Sequence, residues 1–278
     1  MSAATSTWID GSPANSLPLP DRGLDFGDGL FETCLVCNGR VSLFSLHEDR
    51  LRLGLQALRF PPVTEQVRAQ VESALESLDS QVQYALRVTV TRGTSPRGYA
   101  PPVEQHPRIV ITATELTGSC FEMREPAQLG ICDIRWSDQP ALAGVKHLNR
   151  LEQVLATAQV RDAGWGEGLM LDQQGDPISV STGNLFIVEG DCVITPPLAT
   201  CGIEGTRRRW VLQTCEDHPD LQARIEAFTL ERLQRADEVF VSNALVGVRP
   251  ISGLDGRHWD DHPVCDRLFG AYSQVLAE

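Results

Sequence analysis

What most constrains the fold of this chain is a change of pattern near Thr117-Gly118-Ser119. Before that point amphipathic helices alternate with strands, and beyond it short strands dominate. The first half carries one apolar stripe at Leu51, Leu55 and Leu58 and a second at Val67, Val71, Leu75 and Leu78. Steps of three and four residues mark helices with a single buried face. Ser45-Leu46-His47-Glu48 reads as a capping box opening the first helix, Thr64 opens the second, and Pro61-Pro62 separates them. Residues 84–91 alternate, with Leu86, Val88 and Val90 on one face, which is a half-buried strand; 108–116 reads as another. In the second half strands are expected at 128–136, 168–172, 184–188, 192–195 and 237–242. Helices are expected from Lys146, from Thr206, over 229–235 and over 262–276. The expectation is an α+β chain with a small N-terminal α/β domain over 1–117 and a larger, strand-rich C-terminal domain over 118–278.

At 278 residues, with 42% apolar and 22% charged residues, the chain can bury a substantial core. Its net charge of -13 argues against a nucleic-acid or anionic-membrane partner. No stretch is apolar for long enough to span a bilayer, and residues 1–16 lack the basic end and apolar centre of a secretory signal. The eight cysteines follow no small-scaffold spacing, so reduced thiols and a cytoplasmic setting are expected. Cys34 and Cys37 form a C-x-x-C within an expected strand, where residues three apart face opposite sides. Without a second pair at zinc spacing, no metal is expected.

Candidate chemistry is spread along the chain. Lys146 follows the small residues Ala143-Gly144-Val145 and precedes an apolar helical pattern at Leu148, Leu151, Val154, Leu155 and Ala158. At a helix mouth, with Arg150 one turn on, a lysine amine is biased toward its neutral, nucleophilic form. On position alone a solvated surface charge is the commoner role for a lysine. Residues 21–33 hold three glycines and four acids, which suits either a surface loop or a backbone that approaches a ligand. Arg92-Gly93 and Arg97-Gly98-Tyr99 form a basic loop at a strand end, suited to a carboxylate ligand or equally to a solvated tip. Gly202, Gly205 and Thr206 open a helix and offer an anion site, with Arg207, Arg208 and Arg209 read as mostly solvated. Ser242-Asn243-Ala244 ends a strand with a second set of polar donors. An activated lysine with a phosphate cup suggests pyridoxal phosphate.

Three segments sharpen that suggestion: 22–33, Leu46-His47-Glu48-Asp49-Arg50-Leu51, and 144–153 around Lys146. Together they resemble the fold-type IV pyridoxal-phosphate enzymes, the family of branched-chain and D-amino-acid aminotransferases. Residues 144–153, 92–99 and 242–245 are most similar to its aminodeoxychorismate lyase branch. The resemblance implies that Lys146 carries the cofactor as a Schiff base and moves protons, and that Arg50, Gly205, Thr206, Asn243 and Ala244 hold the phosphate. It implies substrate contacts from Arg97, Tyr99 and Phe26, and a homodimer in which the 92–99 loop can reach a neighbour's site. The implied reaction converts aminodeoxychorismate into 4-aminobenzoate, a folate precursor, and pyruvate. An aminotransferase of small amino acids, or a cofactor-binding homologue with little catalysis, are the alternatives. Two positions depart from the family pattern. Thr206-Arg207 stands where isoleucine-threonine is usual, and Ser179 stands where a glutamate keeps the pyridine nitrogen protonated. A neutral serine weakens that electron sink, which costs transamination more than an elimination that ends in an aromatic ring.

Overall fold

The structure is a computed structural model that describes residues 4–277. Its contacts separate into two compact units. The first runs to Cys120 and includes residues 145–149; the second holds 121–144 and 150–276. The lysine segment is thus grouped with the first unit, whereas the sequence pattern places it inside a continuous second domain.

The first unit contains β1 (Thr5–Ile9), β2 (Ser12–Pro13), α1 (Arg22–Phe26), β3 (Gly29–Cys37), β4 (Arg40–Val41), α2 (Phe44–Ala57), α3 (Thr64–Glu76), β5 (Tyr84–Thr91) and β6 (Arg108–Glu115). Its six-stranded sheet has the order β2-β1-β6-β5-β3-β4, antiparallel throughout. Asp10-Gly11 and Asn38-Gly39 make its tight hairpins with positive φ at both residues of each pair, the geometry that Asx-Gly favours. Leu51 and Leu55 of α2 and Val67, Val71 and Ala74 of α3 pack on Leu30, Cys34, Leu86, Val88, Val90, Ile109 and Ile111. One face of the sheet is therefore closed by two helices, as the stripes predict. The capping box does not form: α2 begins at Phe44, its cap residue Leu43 is left-handed, and no side chain caps it. The loop expected over 21–33 is instead the short α1 followed by the buried start of β3.

The second unit contains β7 (Ala127–Ile131), α4 (Leu151–Ala163), β8 (Glu167–Leu171), β9 (Pro177–Val180), β10 (Asn184–Glu189), β11 (Cys192–Thr195), α5 (Thr206–Asp217), β12 (Gln222–Ile225), α6 (Leu230–Arg235), β13 (Glu238–Asn243), β14 (Gly247–Leu254), β15 (Arg257–His258) and α7 (Pro263–Ala277). Strand order is β12-β11-β10-β13-β14-β7-β8-β9, and β9 also pairs with β10, which closes part of the sheet into a barrel-like ring. Leu169, Leu171, Leu185, Ile187, Val239, Val241 and Ile251 share one core across that ring. The strands β9, β12 and β14 were not distinguishable in the sequence, two being short and β14 containing a proline and two glycines. Among the described residues no helix is long and apolar enough to cross a membrane.

Candidate active site

Lys146 does not lie at a helix mouth. Residues 146–148 run extended along the start of β3: Phe31 N–H donates to the Lys146 carbonyl and Leu148 N–H to the Gly29 carbonyl, both at 3.0 Å. Leu30 and His147 form an antiparallel bridge between those bonds. The backbone groups that would begin a helix are committed to the sheet, so α4 starts five residues after the lysine, at Leu151. The dipole and one-turn arginine arguments for an activated Lys146 therefore fail, Arg150 being the residue that caps α4. What the amine does have is an aromatic floor. Lys146 Nζ lies 4.2 Å from the centroid of the Phe31 ring, and the Arg87 guanidinium lies 4.0 Å from it. An aromatic face accommodates either cation, and burial lowers the Arg87 pKa. Lys146 is also the chain's one lysine, all other basic chains among the 24 Lys and Arg being arginine.

Behind Phe31, on the helix-facing side of β3, Glu32 is 3% exposed. Arg50 Nε donates to it at 2.8 Å with a second bond from Nη2, and His47 Nδ1 lies 2.6 Å away. Burial alone would raise the Glu32 carboxyl, but the Arg50 charge and the His47 hydrogen bond overcome it and hold the pKa at about 2. Arg50 is thus buried and aligned by an acid as well as being the expected phosphate ligand. Glu32 lies in the 22–33 segment and His47 in the segment before Arg50, yet nothing in either segment marks the two as a pair. The glycines nearby permit close approach: Gly27 has φ +65° and a Cβ there would meet Asn149 Oδ1 at 2.5 Å.

The expected carboxylate loop divides. Arg92 is 2% exposed and spent on Asp28, the Leu58 carbonyl and Gln105, so it is structural. Burial would raise Asp28, but hydrogen bonds from Arg92 and Arg22 hold its pKa below the usual value. Arg97 and Tyr99 are exposed, and Tyr99 meets Phe26 with ring centroids 5.3 Å apart. Buried Arg22 fixes this loop by donating to the Gly98 and Tyr99 carbonyls. The structure brings Phe26 and Tyr99 together, with Arg97 two residues away on the same loop.

In the second unit the anion cup is built from three elements. Gly205 caps α5 with extended backbone and no side-chain capping bond, leaving the first N–H groups of α5 without intrahelical acceptors. Thr206 Oγ1 and Ser242 Oγ are buried, and neither has a hydrogen-bond partner. Asn243 Oδ1 accepts from the Leu245 and Val246 N–H groups, and Arg207 Nη2 donates to the Ala244 carbonyl, which fixes the 243–246 turn. Asn184 is paired with both Ser179 and Ser242 in the sheet, and its side chain packs so close to Gly205 that a Cβ there would lie 1.9 Å away. Ser179, Ser242, Asn243, Ala244, Gly205 and Thr206 are therefore neighbours across β9, β10, β13 and the start of α5. Contrary to the solvated reading, Arg207 and Arg208 are 1% and 2% exposed. Arg207 Nε donates to the Tyr272 hydroxyl of α7, and Arg208 bonds Thr195, Glu204 and the Pro196 carbonyl. A run of three arginines gives no sign of which are buried, because their acceptors lie on other elements.

Two buried hydroxyls without protein partners beside a helix N-terminus suit a phosphate. Comparison with known proteins extends the match to nearly the whole chain. The profile of the family described as amino-transferase class IV matches residues 29–254. An aminodeoxychorismate lyase of Vibrio harveyi is 33% identical over 248 residues, covering 89% of this chain and 90% of that protein. A D-alanine aminotransferase of Bacillus licheniformis is 28% identical over 249 residues, covering 87% of this chain and 84% of the relative. The crystal structure of 4-amino-4-deoxychorismate lyase from Pseudomonas aeruginosa superposes with a TM-score of 0.87 at 36% identity, covering 96% and 98% of the two chains.

Proposed function

Given that the chain belongs to the class IV aminotransferase family, whose cofactor is pyridoxal phosphate, we propose that it is an aminodeoxychorismate lyase forming 4-aminobenzoate and pyruvate. The observation that carries this is that two relatives sharing a third of its residues over about nine-tenths of the chain or more, those of Vibrio harveyi and Pseudomonas aeruginosa, are lyases. When bound, the cofactor supplies an aldehyde that binds amines covalently and a ring that draws electrons from the neighbouring carbon. Lys146 is its attachment point; no other side chain offers a primary amine. Thr206 Oγ1, Ser242 Oγ and the first N–H groups of α5 receive the phosphate, with Asn243 and Ala244 shaping the turn beside it. Arg50, held in line by Glu32, supplies the positive charge, and Ser179 meets the ring nitrogen.

Once displaced by the substrate amine, Lys146 removes the ring proton at the carbon that bears nitrogen. The electron pair completes the aromatic ring as the carbon–oxygen bond to the enolpyruvyl group breaks. The departing enolate takes up a proton at its methylene carbon, which the Lys146 ammonium would supply, and so becomes pyruvate. Arg97, Tyr99 and Phe26 receive the substrate's carboxylates and ring, their exposed loop serving the site of a second copy in a cytoplasmic homodimer. Eight cysteines that follow no small-scaffold spacing support that compartment.

Purified protein is expected to be yellow, to bleach with borohydride, and to incorporate the reduced cofactor at Lys146 alone. Lys146→Ala abolishes all three. Pyruvate release from aminodeoxychorismate, measured beside amino transfer from D-alanine to a keto acid, decides the activity. Faster transfer than release would replace this reading with the aminotransferase one, which the Bacillus licheniformis relative favours.

A further inference from the structure

Trp136 and Ser179 are 43 residues apart in sequence and form a buried pair: the indole Nε1–H donates to Ser179 Oγ at 2.9 Å. The tryptophan is fixed at its backbone, its N–H bonded to the Leu171 carbonyl and its carbonyl to Gln173 Nε2. An indole nitrogen is a donor only, so the serine oxygen must accept and its own proton must point elsewhere. Among the described residues that proton has no acceptor, the indole being the one hydrogen-bond partner of the Ser179 side chain. The serine is 3% exposed. With one lone pair taken by the indole, Ser179 keeps its second lone pair and its hydrogen, and the hydrogen is the group that most needs a partner.

Resting on the reading above that Ser179 meets the ring nitrogen, we infer that Trp136 is a positioning residue that holds Ser179 with its unpartnered hydrogen available to that nitrogen, which stays unprotonated. A carboxylate at this place would do the opposite, accepting a hydrogen and holding a positive charge on the ring. A protonated nitrogen next to Ser179 would have to take the one lone pair that the indole leaves. It would leave the serine proton buried without an acceptor, and place a cation beside a neutral pair. The neutral ring is a weaker store for electrons. Reactions in which the electron pair waits on the ring before reprotonation, as amino transfer requires, are slowed. An elimination that passes the pair directly to a breaking carbon–oxygen bond is affected less. Trp136 and Ser179 together are thus a specificity device for lyase over transfer.

The test is the ¹⁵N resonance of the ring nitrogen in protein loaded with pyridoxal phosphate labelled at that atom, since protonation moves it far upfield. Wild type is expected at the unprotonated position across the pH range in which the protein is folded. Ser179→Glu moves the resonance to the protonated position and raises the ratio of amino transfer to pyruvate release. Trp136→Phe, which lets the serine turn its lone pairs to the ring, moves it part of the way. Should that variant not fold, Ser179→Ala serves instead, its resonance shifting downfield as the hydrogen bond is lost. A protonated nitrogen in wild type, or an unmoved resonance in Ser179→Glu, overturns the inference while leaving the enzyme reading intact. Failure of wild type to retain the cofactor at Lys146 overturns that underlying reading instead.

Discussion

Glu32 shows how a single buried residue can hold a working arginine in place. Its carboxylate is closed off from water, and its charge is balanced by Arg50 and a hydrogen bond from His47. Because its folded pKa of about 2 lies below the ordinary 4.5, the folded state binds the proton less readily than the unfolded chain. The resulting stabilisation, about 3 kcal/mol, is complete above pH ~4.5 and is lost as pH falls toward ~2. Glu32→Gln is therefore expected to unfold more readily at neutral pH and to lose the part of acid sensitivity that lies in this window. Urea unfolding of both proteins at several pH values measures the difference; parallel pH profiles would show that Glu32 is not the group responsible. The variant should also retain the cofactor less well, because Arg50 loses the acid that aligns it. In the sequence, Arg50 was recognisable through its motif. Glu32 was not, since it stands in a largely apolar strand and its partners come from α2.

At the scale of elements, the start of α5 was the most legible part of the site. A glycine followed by threonine and a long polar-to-apolar run announces a helix N-terminus from local sequence alone, and α5 begins at the expected residue. The α4 region went the other way: its apolar run implied a helix from Lys146, yet the first residues of the run pair with β3. Helix propensity lost to sheet hydrogen bonds because those bonds are made to a strand more than a hundred residues earlier. For α5 the expectation concerns Thr206, whose buried hydroxyl has no protein partner. Thr206→Val keeps the shape and removes the hydroxyl, so the helix should persist by circular dichroism. Cofactor affinity should fall about tenfold or more, the worth of a hydrogen bond to a charged group. Equilibrium dialysis against pyridoxal phosphate reads this directly, and unchanged affinity would remove Thr206 from the phosphate site.

At the scale of the molecule, α4 presents an apolar face that the described chain leaves uncovered, with Leu151 76%, Val154 57% and Leu155 57% exposed and Ala156 its one buried residue. Such a row is costly to leave in water, and the proposed homodimer gives it a use. Leu155→Glu is expected to halve the mass measured by light scattering while leaving the helix content unchanged; a wild type that is already monomeric would end the homodimer reading. By itself the sequence determined the order and kind of most elements, the one lysine on which the proposed chemistry rests, the threonine at the head of α5 and the serine that departs from the family pattern. These are local properties: periodicity, capping residues and motifs are complete within a few turns of chain. Only the tertiary structure decided that Lys146 is extended beside Phe31, that Arg207 and Arg208 are interior, that Glu32 holds Arg50, and that Trp136 donates to Ser179. Each of those joins residues on different elements, and a hydrogen bond or ion pair between distant segments leaves no periodic trace in either one.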